Sequence, residues 1–228
     1  MVSAMLLLAS CQKILFSEEE ITREIPLEDF SAAEIRGVFN IILIQDSTDR
    51  LVITGKNDIR SIDAFIENGI LKVSDPVIMS FNTKRNTMAI HFTSLESLTA
   101  FNPVNITNVD TIRADMFTFS AIVEIAEVNL VVDCNTLQAV SANTLGHFNL
   151  SGKTGYCFIA TWYGCSFLAG DLTCRQAEIM HESVGDVYIN ATETITAYIR
   201  GPGNIYYHGD PAITVAEKKG EGKLIRLD

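Results

Sequence analysis

The sequence predicts an all-β protein built as a β-solenoid, and two observations lead to this prediction. Helical periodicity is nearly absent, and short runs of β-branched and aromatic residues alternate with a period of two between Gly, Asn and Asp. From about Leu98 the chain also becomes repetitive, with a unit of 18–21 residues. A unit of that length has room for two or three short strands and no helix, as in one coil of a solenoid. An antiparallel β-sandwich is the alternative.

Glycines mark the repeat and predict where the chain turns. They fall at Gly146, Gly164, Gly185, Gly203 and Gly222. We expect each to occupy the same corner on successive coils, either at a positive φ or packed against the neighbouring backbone, because both situations exclude a Cβ. Asp186 and Asn204 follow two of these glycines, and we expect their side chains to point to solvent.

Apolar residues two and four positions beyond three of the glycines predict the core. They are Phe148 and Leu150, Val187 and Ile189, and Ile205 and Tyr207. Residues spaced in this way share one face of a strand, so stacked coils align them as apolar ladders inside the solenoid.

The first hundred residues predict short strands joined by tight turns. Asn68 and Gly69 separate two such strands, and this pair suits the positive φ values of a two-residue hairpin turn. We therefore expect one β-solenoid domain over residues 25–228. Its irregular, strand-rich N-terminal part covers residues 25–97, and its repeat coils cover residues 98–228.

The first eleven residues predict export and lipidation. MVSAMLLLASC is an apolar stretch that ends in two small residues and Cys11, as in the bacterial lipobox. We expect residues 1–10 to be a lipoprotein signal peptide, Cys11 to carry acyl chains, and residues 11–24 to form a tether. The expected location is the bacterial cell envelope, as an outer-membrane lipoprotein on the periplasmic face or the cell surface. No Lys or Arg precedes the apolar run, and a buried N-terminal segment is the alternative.

Charge and hydropathy exclude several classes of protein. The chain has 17 Lys and Arg against 28 Asp and Glu, which gives a formal net charge of −11. Because this surplus repels phosphates and anionic headgroups, we expect no nucleic acid partner and membrane contact only through the lipid anchor. No apolar run reaches the length of about 18 residues that a membrane-spanning helix requires.

Two stretches of the chain resemble a bacterial family. Residues 201–227 read GPGNIYYHGDPAITVAEKKGEGKLIRL, and residues 30–40 read FSAAEIRGVFN. Both are similar to the domains described as putative auto-transporter adhesin, head GIN domain, and the resemblance covers about residues 25–228. It implies a right-handed parallel β-helix, with coils of the length given above. It also implies a role in binding or adhesion, and it supplies no catalytic residues.

Aromatic residues of the repeats are the candidate ligand-binding site. They are Trp162, Tyr163, Tyr188, Tyr198 and Tyr206. An exposed strip of such rings suits the apolar faces of sugars, so a glycan is one candidate partner and a cell-envelope protein is the other. The alternative is that these rings are half-buried packing residues on a sheet.

Residues with reactive side chains predict no catalytic or metal site. Acids do not recur one coil apart as the paired carboxylates of a polysaccharide-cleaving enzyme, so we expect a non-enzymatic protein without a cofactor. The four cysteines after Cys11 lack the ligand spacing of a zinc site; they are Cys134, Cys157, Cys165 and Cys174. We expect them to be buried and unpaired, with a Cys157–Cys174 disulfide as the alternative.

The expected function is therefore a binding or adhesion module of the cell envelope. A structural or assembly component of the envelope is the alternative, and a polysaccharide-cleaving β-helix enzyme is the third reading.

Overall fold

The structure is a computed structural model that describes residues 20–55, 57–76 and 85–228. Cys11 and the predicted signal peptide lie outside the described residues. The strands are β1 (Ile21–Pro26), β2 (Ala32–Arg36), β3 (Phe39–Gln45), β4 (Arg50–Gly55), β5 (Asp63–Glu67), β6 (Ile70–Ser74), β7 (Asn86–Phe92), β8 (Ser97–Ala100), β9 (Val104–Asn108), β10 (Ile112–Ile122), β11 (Ile125–Ala142), β12 (Leu145–Ser183), β13 (Val187–Ile199), β14 (Ile205–His208), β15 (Ala212–Lys218) and β16 (Leu224–Arg226). A short 3₁₀ helix spans Asn57–Ser61.

The described chain folds as a β-solenoid of about six stacked coils, with 73% of its residues in strands. Strands of successive coils pair in parallel: β10 with β11, β11 with β12, and β12 with β13. Asn149 bonds to Asn129, 20 residues earlier, and Asn204 bonds to Asp186, 18 residues earlier. The coils therefore have the predicted length, and the predicted parallel solenoid is confirmed.

Two long sheets form most of the solenoid wall. Sheet A contains β3, β9, β14 and β16 together with the first parts of β11 and β13. Sheet B contains β2, β8 and β15 together with the later parts of β10, β11 and β13. The long strand β12 passes through both sheets twice. We call the solvent-facing surfaces of the two sheets face A and face B.

Antiparallel strands extend both sheets at the N-terminal end of the stack. In sheet A, β7 pairs in parallel with β3, and β4 and β1 follow it in antiparallel order. In sheet B, β6 pairs in parallel with β2 and forms an antiparallel hairpin with β5. The hairpin turn has Asn68 and Gly69 at φ values of 53° and 74°, so the predicted turn is confirmed. We call these five strands, β1, β4, β5, β6 and β7, the N-terminal cap.

Inward-facing residues of both sheets fill the interior. The predicted ladder residues are buried, except that Tyr207 is half-buried against the core. The rings of Phe119, Phe148 and Phe167 meet edge to face in the interior, with centroids 5.4 Å and 4.7 Å apart. The four cysteines after Cys11 are buried and free. Burial raises the pKa of the Cys157 thiol well above its ordinary value, so this group packs as a small apolar side chain.

Gly185, Gly203 and Gly222 form a column at one corner of the solenoid. A Cβ on Gly203 would overlap the carbonyl oxygen of Gly185, and a Cβ on Gly222 would overlap that of Gly203. These three glycines have no positive φ, so close approach of stacked backbones is the reason that the corner requires glycine. Gly164 does not belong to this column, because Cys165 is the residue beneath Gly185.

The prediction that Asp186 and Asn204 simply point to solvent is wrong. Both residues are half-buried, and their side chains join neighbouring coils. Asp186 Oδ1 accepts the backbone N–H of Asn204 at 2.7 Å, and Asn204 Oδ1 accepts the backbone N–H of Lys223 at 3.0 Å. A side chain of the preceding coil thus satisfies a backbone donor at the corner.

Candidate ligand-binding groove

A groove of about 660 Å³ runs along face A. It crosses the coils from β9 to β14 and is open to solvent. Outward-facing residues of successive coils line it, among them Asn129, Asn149, Leu168, Gly170, Asp171, Tyr188 and His208. The groove exists because strands stacked in register place the residues of successive coils in straight columns.

Tyr188 forms one wall of the groove. Leu168, Tyr188 and Tyr206 occupy the same outward position on three successive coils. The Tyr188 and Tyr206 rings stack with centroids 4.9 Å apart at an angle of 16°. Tyr206 therefore supports one face of the Tyr188 ring, and the other face is turned toward Leu168. Burial, with smaller contributions from Asp186 and Tyr206, raises the pKa of the Tyr188 hydroxyl, which stays protonated and able to donate a hydrogen bond.

Leu168 and Gly170 form the floor beside this wall. Leu168 is 38% exposed although it is a large aliphatic residue on a sheet. Apart from its two chain neighbours, no atom lies within 4 Å of the position that a Cβ on Gly170 would take, so the glycine leaves this part of the floor open. An aromatic wall over an apolar floor is a surface on which the C–H face of a sugar ring packs well.

Asparagine side chains supply the polar part of the groove. Asn149 Nδ2 donates to Asn129 Oδ1 at 2.8 Å, which links two successive coils. A carboxamide has two N–H donors and one C=O acceptor with two lone pairs, so each side chain keeps hydrogen-bonding capacity for a ligand. Asn108, by contrast, is held by the backbone: it donates to Asp110 O and Val131 O and accepts from Val131 N.

One of the five predicted aromatic residues, Tyr188, lines the groove, and a second, Tyr206, stacks on the Tyr188 ring. Trp162 and Tyr198 lie on face B, where they alternate with inward-facing residues of β12 and β13. Tyr163 lies at the corner between the two sheets, 63% exposed and at a φ of 67°. The five rings therefore do not form one strip, and the candidate site divides between two faces and a corner.

Polar groups on face B bind mainly to one another. The Tyr156 hydroxyl donates to Glu178 Oε2 at 2.7 Å, and burial together with this carboxylate raises the pKa of Tyr156 to about 12. The Arg200 guanidinium donates to Glu182 Oε1 at 2.8 Å and lies 6.0 Å from the Tyr198 ring centroid. Face B thus presents paired groups, whereas the groove on face A presents groups with capacity left for a ligand.

Sequence reasoning missed the residues of the groove other than its tyrosine. Asn129 and Asn149 are 20 residues apart, which is one coil, so the repeat itself carried a signal for this pair. The glycine spacing marks the corners of the coils and not the columns of residues between the corners. Leu168 and Gly170 carry no chemical signal in the sequence, because neither an aliphatic side chain nor a glycine has a reactive group.

Metal-binding and membrane-spanning elements are absent from the part of the chain that the structure describes. Over residues 20–55, 57–76 and 85–228, no group of three or more His, Cys, Asp or Glu side chains is placed to hold a metal ion. Within the same ranges, no helix is long and apolar enough to cross a membrane.

Comparison with known proteins identifies relatives by sequence and by fold. The model of a family described as putative auto-transporter adhesin, head GIN domain, matches residues 29–211. No curated protein matches the chain. A putative adhesin from Bacteroides fragilis has a TM-score of 0.81 and 23% identity, with 92% of this chain and 98% of that chain covered. A putative lipid binding protein from Parabacteroides distasonis has a TM-score of 0.69 and 19% identity, with 92% and 97% covered.

A second protein from Parabacteroides distasonis, a putative adhesin, has a TM-score of 0.66 and 13% identity, with 92% of this chain and 98% of that chain covered. At these identities the likeness to solved structures shows the fold alone. The family and the two adhesin structures are named as adhesins and not as enzymes.

Proposed function

The chain belongs to the family described as putative auto-transporter adhesin, head GIN domain, and we propose that it is a non-enzymatic carbohydrate-binding module of the bacterial cell envelope. Membership of this family supports a role as an adhesion-like or binding module. The groove on face A is the binding site in this proposal, and Tyr188 is its central contact.

The observation that carries the proposal is the combination of a supported aromatic ring with open space beside it. Tyr206 stacks on one face of Tyr188, and Gly170 leaves open space on the floor of the groove that Tyr188 lines. A ring that is already held in place loses little conformational entropy when a ligand packs against it. The Asn129 and Asn149 amides lie in the same groove and offer donors and acceptors to sugar hydroxyls.

The same groove supports a role in binding without catalysis. Glycoside hydrolysis uses two carboxyl groups on opposite sides of the scissile bond. Asp171 is the one carboxylate among the residues that line the groove. A single exposed carboxylate does not supply the acid and base pair that this chemistry needs.

The envelope location rests on the N-terminal sequence. Cys11 follows the apolar stretch and the small residues of a lipobox, and lipidation there would place the solenoid at the outer membrane by its N-terminus. The tether of residues 11–24 would leave the groove free to meet glycans of the envelope or of a neighbouring cell.

A glycan array probed with the purified protein tests the binding function. We expect saturable binding to at least one oligosaccharide, and we expect Tyr188→Ala to weaken that binding at least tenfold, or about 1.4 kcal/mol. Tyr198→Ala is the matched control, since it removes the same side chain from face B and should leave affinity unchanged. Absence of binding to any glycan contradicts the proposal. Loss of binding in Tyr198→Ala but not in Tyr188→Ala would indicate that the binding site lies on face B.

Fractionation of cells tests the anchor separately. We expect the wild-type protein to sediment with the outer membrane and to incorporate a fatty-acid analogue. Cys11→Ala should abolish the labelling and release the protein into the soluble fraction. A Cys11→Ala variant that still sediments with membranes would show that the anchor is wrong, whatever the array shows.

A further inference from the structure

We propose that the groove on face A selects uncharged glycans, and that the Asn129–Asn149 amide pair recognises their hydroxyl groups. This inference rests on the proposed function of the groove, because it specifies the ligand class of the same site. Neither asparagine was part of the aromatic site that the sequence predicts.

The charge of the groove disfavours acidic sugars. Proteins bind carboxylate, sulfate and phosphate groups with Arg or Lys, and neither residue type lines the groove. Lys153 does not line the groove, and its Nζ pairs with Asp133 Oδ2 at 3.2 Å.

Negative charge opposes polyanions both at the groove and at a distance. Asp171 is an exposed carboxylate at the rim. The chain as a whole has a formal net charge of −11, and a field of that sign lowers the local concentration of an anionic ligand. A neutral glycan meets neither barrier.

The two amides are suited to hydroxyl groups. A sugar hydroxyl both donates and accepts a hydrogen bond, and a carboxamide offers both roles within one side chain. The bond between Asn149 Nδ2 and Asn129 Oδ1 fixes the orientation of both amides before a ligand arrives. A fixed amide avoids part of the entropy cost that a mobile side chain pays on binding.

The order of residues along the groove indicates the path of the ligand. Asn129 pairs with Asn149 on the next coil, and Leu168 pairs with Tyr188 on the next. All four line the groove, so a ligand lying along the solenoid axis meets two amides, then an aliphatic floor, then an aromatic wall. Coils repeat at about 4.8 Å, close to the length of one sugar unit in an extended chain. An oligosaccharide of several units therefore fits the groove better than a monosaccharide.

Matched pairs of glycans test the selectivity. The probes are polygalacturonate with its fully methyl-esterified form, and heparin with its desulfated, N-acetylated form, added to an array of neutral oligosaccharides. We expect the wild-type protein to bind neutral members at least tenfold more tightly than any acidic member, and to prefer longer neutral chains. Stronger binding to an acidic member overturns this inference while leaving carbohydrate binding intact. Binding to no member overturns the proposed function itself and this inference with it.

Two substitutions test the residues that the inference names. Asn149→Asp keeps the shape of the side chain but removes its N–H donors and adds a negative charge, so we expect at least a tenfold loss of affinity for the neutral ligand. Asp171→Lys removes the negative charge from the groove and adds a cation, so it should raise binding of acidic glycans relative to binding of the neutral ligand. Gln138→Glu on face B is the control, since it adds the same charge away from the groove. Equal losses in Asn149→Asp and Gln138→Glu would show that overall charge, and not the amide, determines affinity.

Discussion

The two ends of the solenoid are built differently. In the N-terminal cap, antiparallel strands extend both sheets. Ile59 in the 3₁₀ helix and Ile62 just after it are buried, at 0% and 1% exposure. In the last coil, Ile213 and Val215 lie in register with inward-facing residues of β13, yet they are 40% and 46% exposed. The cap therefore gains stability from its own hairpins. A late coil depends more strongly on the coil beneath it, because solenoid stability is largely a sum over neighbouring coils.

Glycine shows what this difference means for sequence. Gly69 in the cap has a φ of 74° and empty space at the position of a Cβ. Gly203 in the coils has no positive φ, and a Cβ there would overlap the backbone of Gly185. In the cap, glycine meets the demand of a local turn. In the coils, two stacked backbones approach so closely that a Cβ is excluded, and a local change of backbone conformation cannot remove this clash.

The largest effect is expected from Gly203→Ala. The added methyl group would meet the carbonyl of Gly185, which cannot move without shifting the coil register, so we expect the free energy of unfolding to fall by about 3 kcal/mol. Urea denaturation followed by the fluorescence of Trp162, the single tryptophan, measures this change.

Gly170→Ala is the matched control for this substitution. Gly170 also lies in the coils, but its Cβ would enter open space, so the free energy of unfolding should stay the same or rise by about 0.5 kcal/mol. Equal losses for the two variants would contradict the close approach of stacked backbones at Gly203.

A smaller effect, dependent on pH, is expected from His181 in the coils. This residue is fully buried, and burial lowers the pKa of its imidazole below 6.5, although the Asn204 backbone and the charge of Asp186 act in the opposite direction. The unfolded chain then binds a proton more readily than the folded one. The free energy of unfolding is therefore highest above a pH of about 6.5, and it declines as the pH falls below that value.

Unfolding of the wild type and of His181→Gln between pH 7.5 and 5.5 measures this contribution. We expect the variant to lose part of the decline in stability, because its side chain does not titrate. Removal of the exposed His147 by His147→Gln should leave the decline in place. A wild type as stable at pH 5.5 as at pH 7.5 would rule out a buried neutral imidazole.

The next effect concerns the side-chain hydrogen bonds at the corners of the coils. Asn204→Ala removes the acceptor for the Lys223 backbone and the donor to the Tyr206 hydroxyl, which are at 3.0 Å and 3.2 Å. We expect the free energy of unfolding to fall by about 1.5 kcal/mol. Glu221→Ala, at an exposed position of the next corner, is the control and should change it by less than about 0.5 kcal/mol. No difference between these variants would mean that water replaces the side chain without cost.

The fold was predictable because a solenoid repeats its own constraints. The 18–21-residue spacing of the glycines, the inward ladders and the Asn68-Gly69 turn each follow from local backbone geometry, and the structure has all three. Gly164 is off the column because a spacing of that size tolerates a shift of one residue. The side-chain bonds of Asp186 and Asn204 were not predictable from spacing, since they depend on which backbone donors a corner leaves unpaired.

The candidate groove was only partly predictable. Residue type alone selects Trp162, Tyr163 and Tyr198 as readily as Tyr188 and Tyr206. Alternation along a strand distinguishes inward from outward residues, but it does not show whether an outward residue lies on face A or on face B. Assigning a face requires the positions of the corners, and β12 passes two coils without a break in its strand pattern. The open space over Gly170 in the floor of the groove becomes visible only when the coils are stacked.

The smallest effect is expected in the N-terminal cap, at Gly69. This residue lies at a φ of 74° in the turn between β5 and β6, and no atom is near enough to clash with a side chain. Gly69→Ala therefore carries only the backbone cost of a left-handed conformation, and we expect the free energy of unfolding to fall by about 1 kcal/mol.

Gly69→Asn separates the two reasons for glycine, because asparagine tolerates positive φ better than alanine does. At Gly69 the asparagine variant should be more stable than the alanine variant. At Gly203 the order should reverse, since the clash there is with backbone and a larger side chain makes it worse. Measured by urea denaturation, the same order at both positions would mean that the cap and the coils use glycine for one reason, and the contrast between the two ends would not hold.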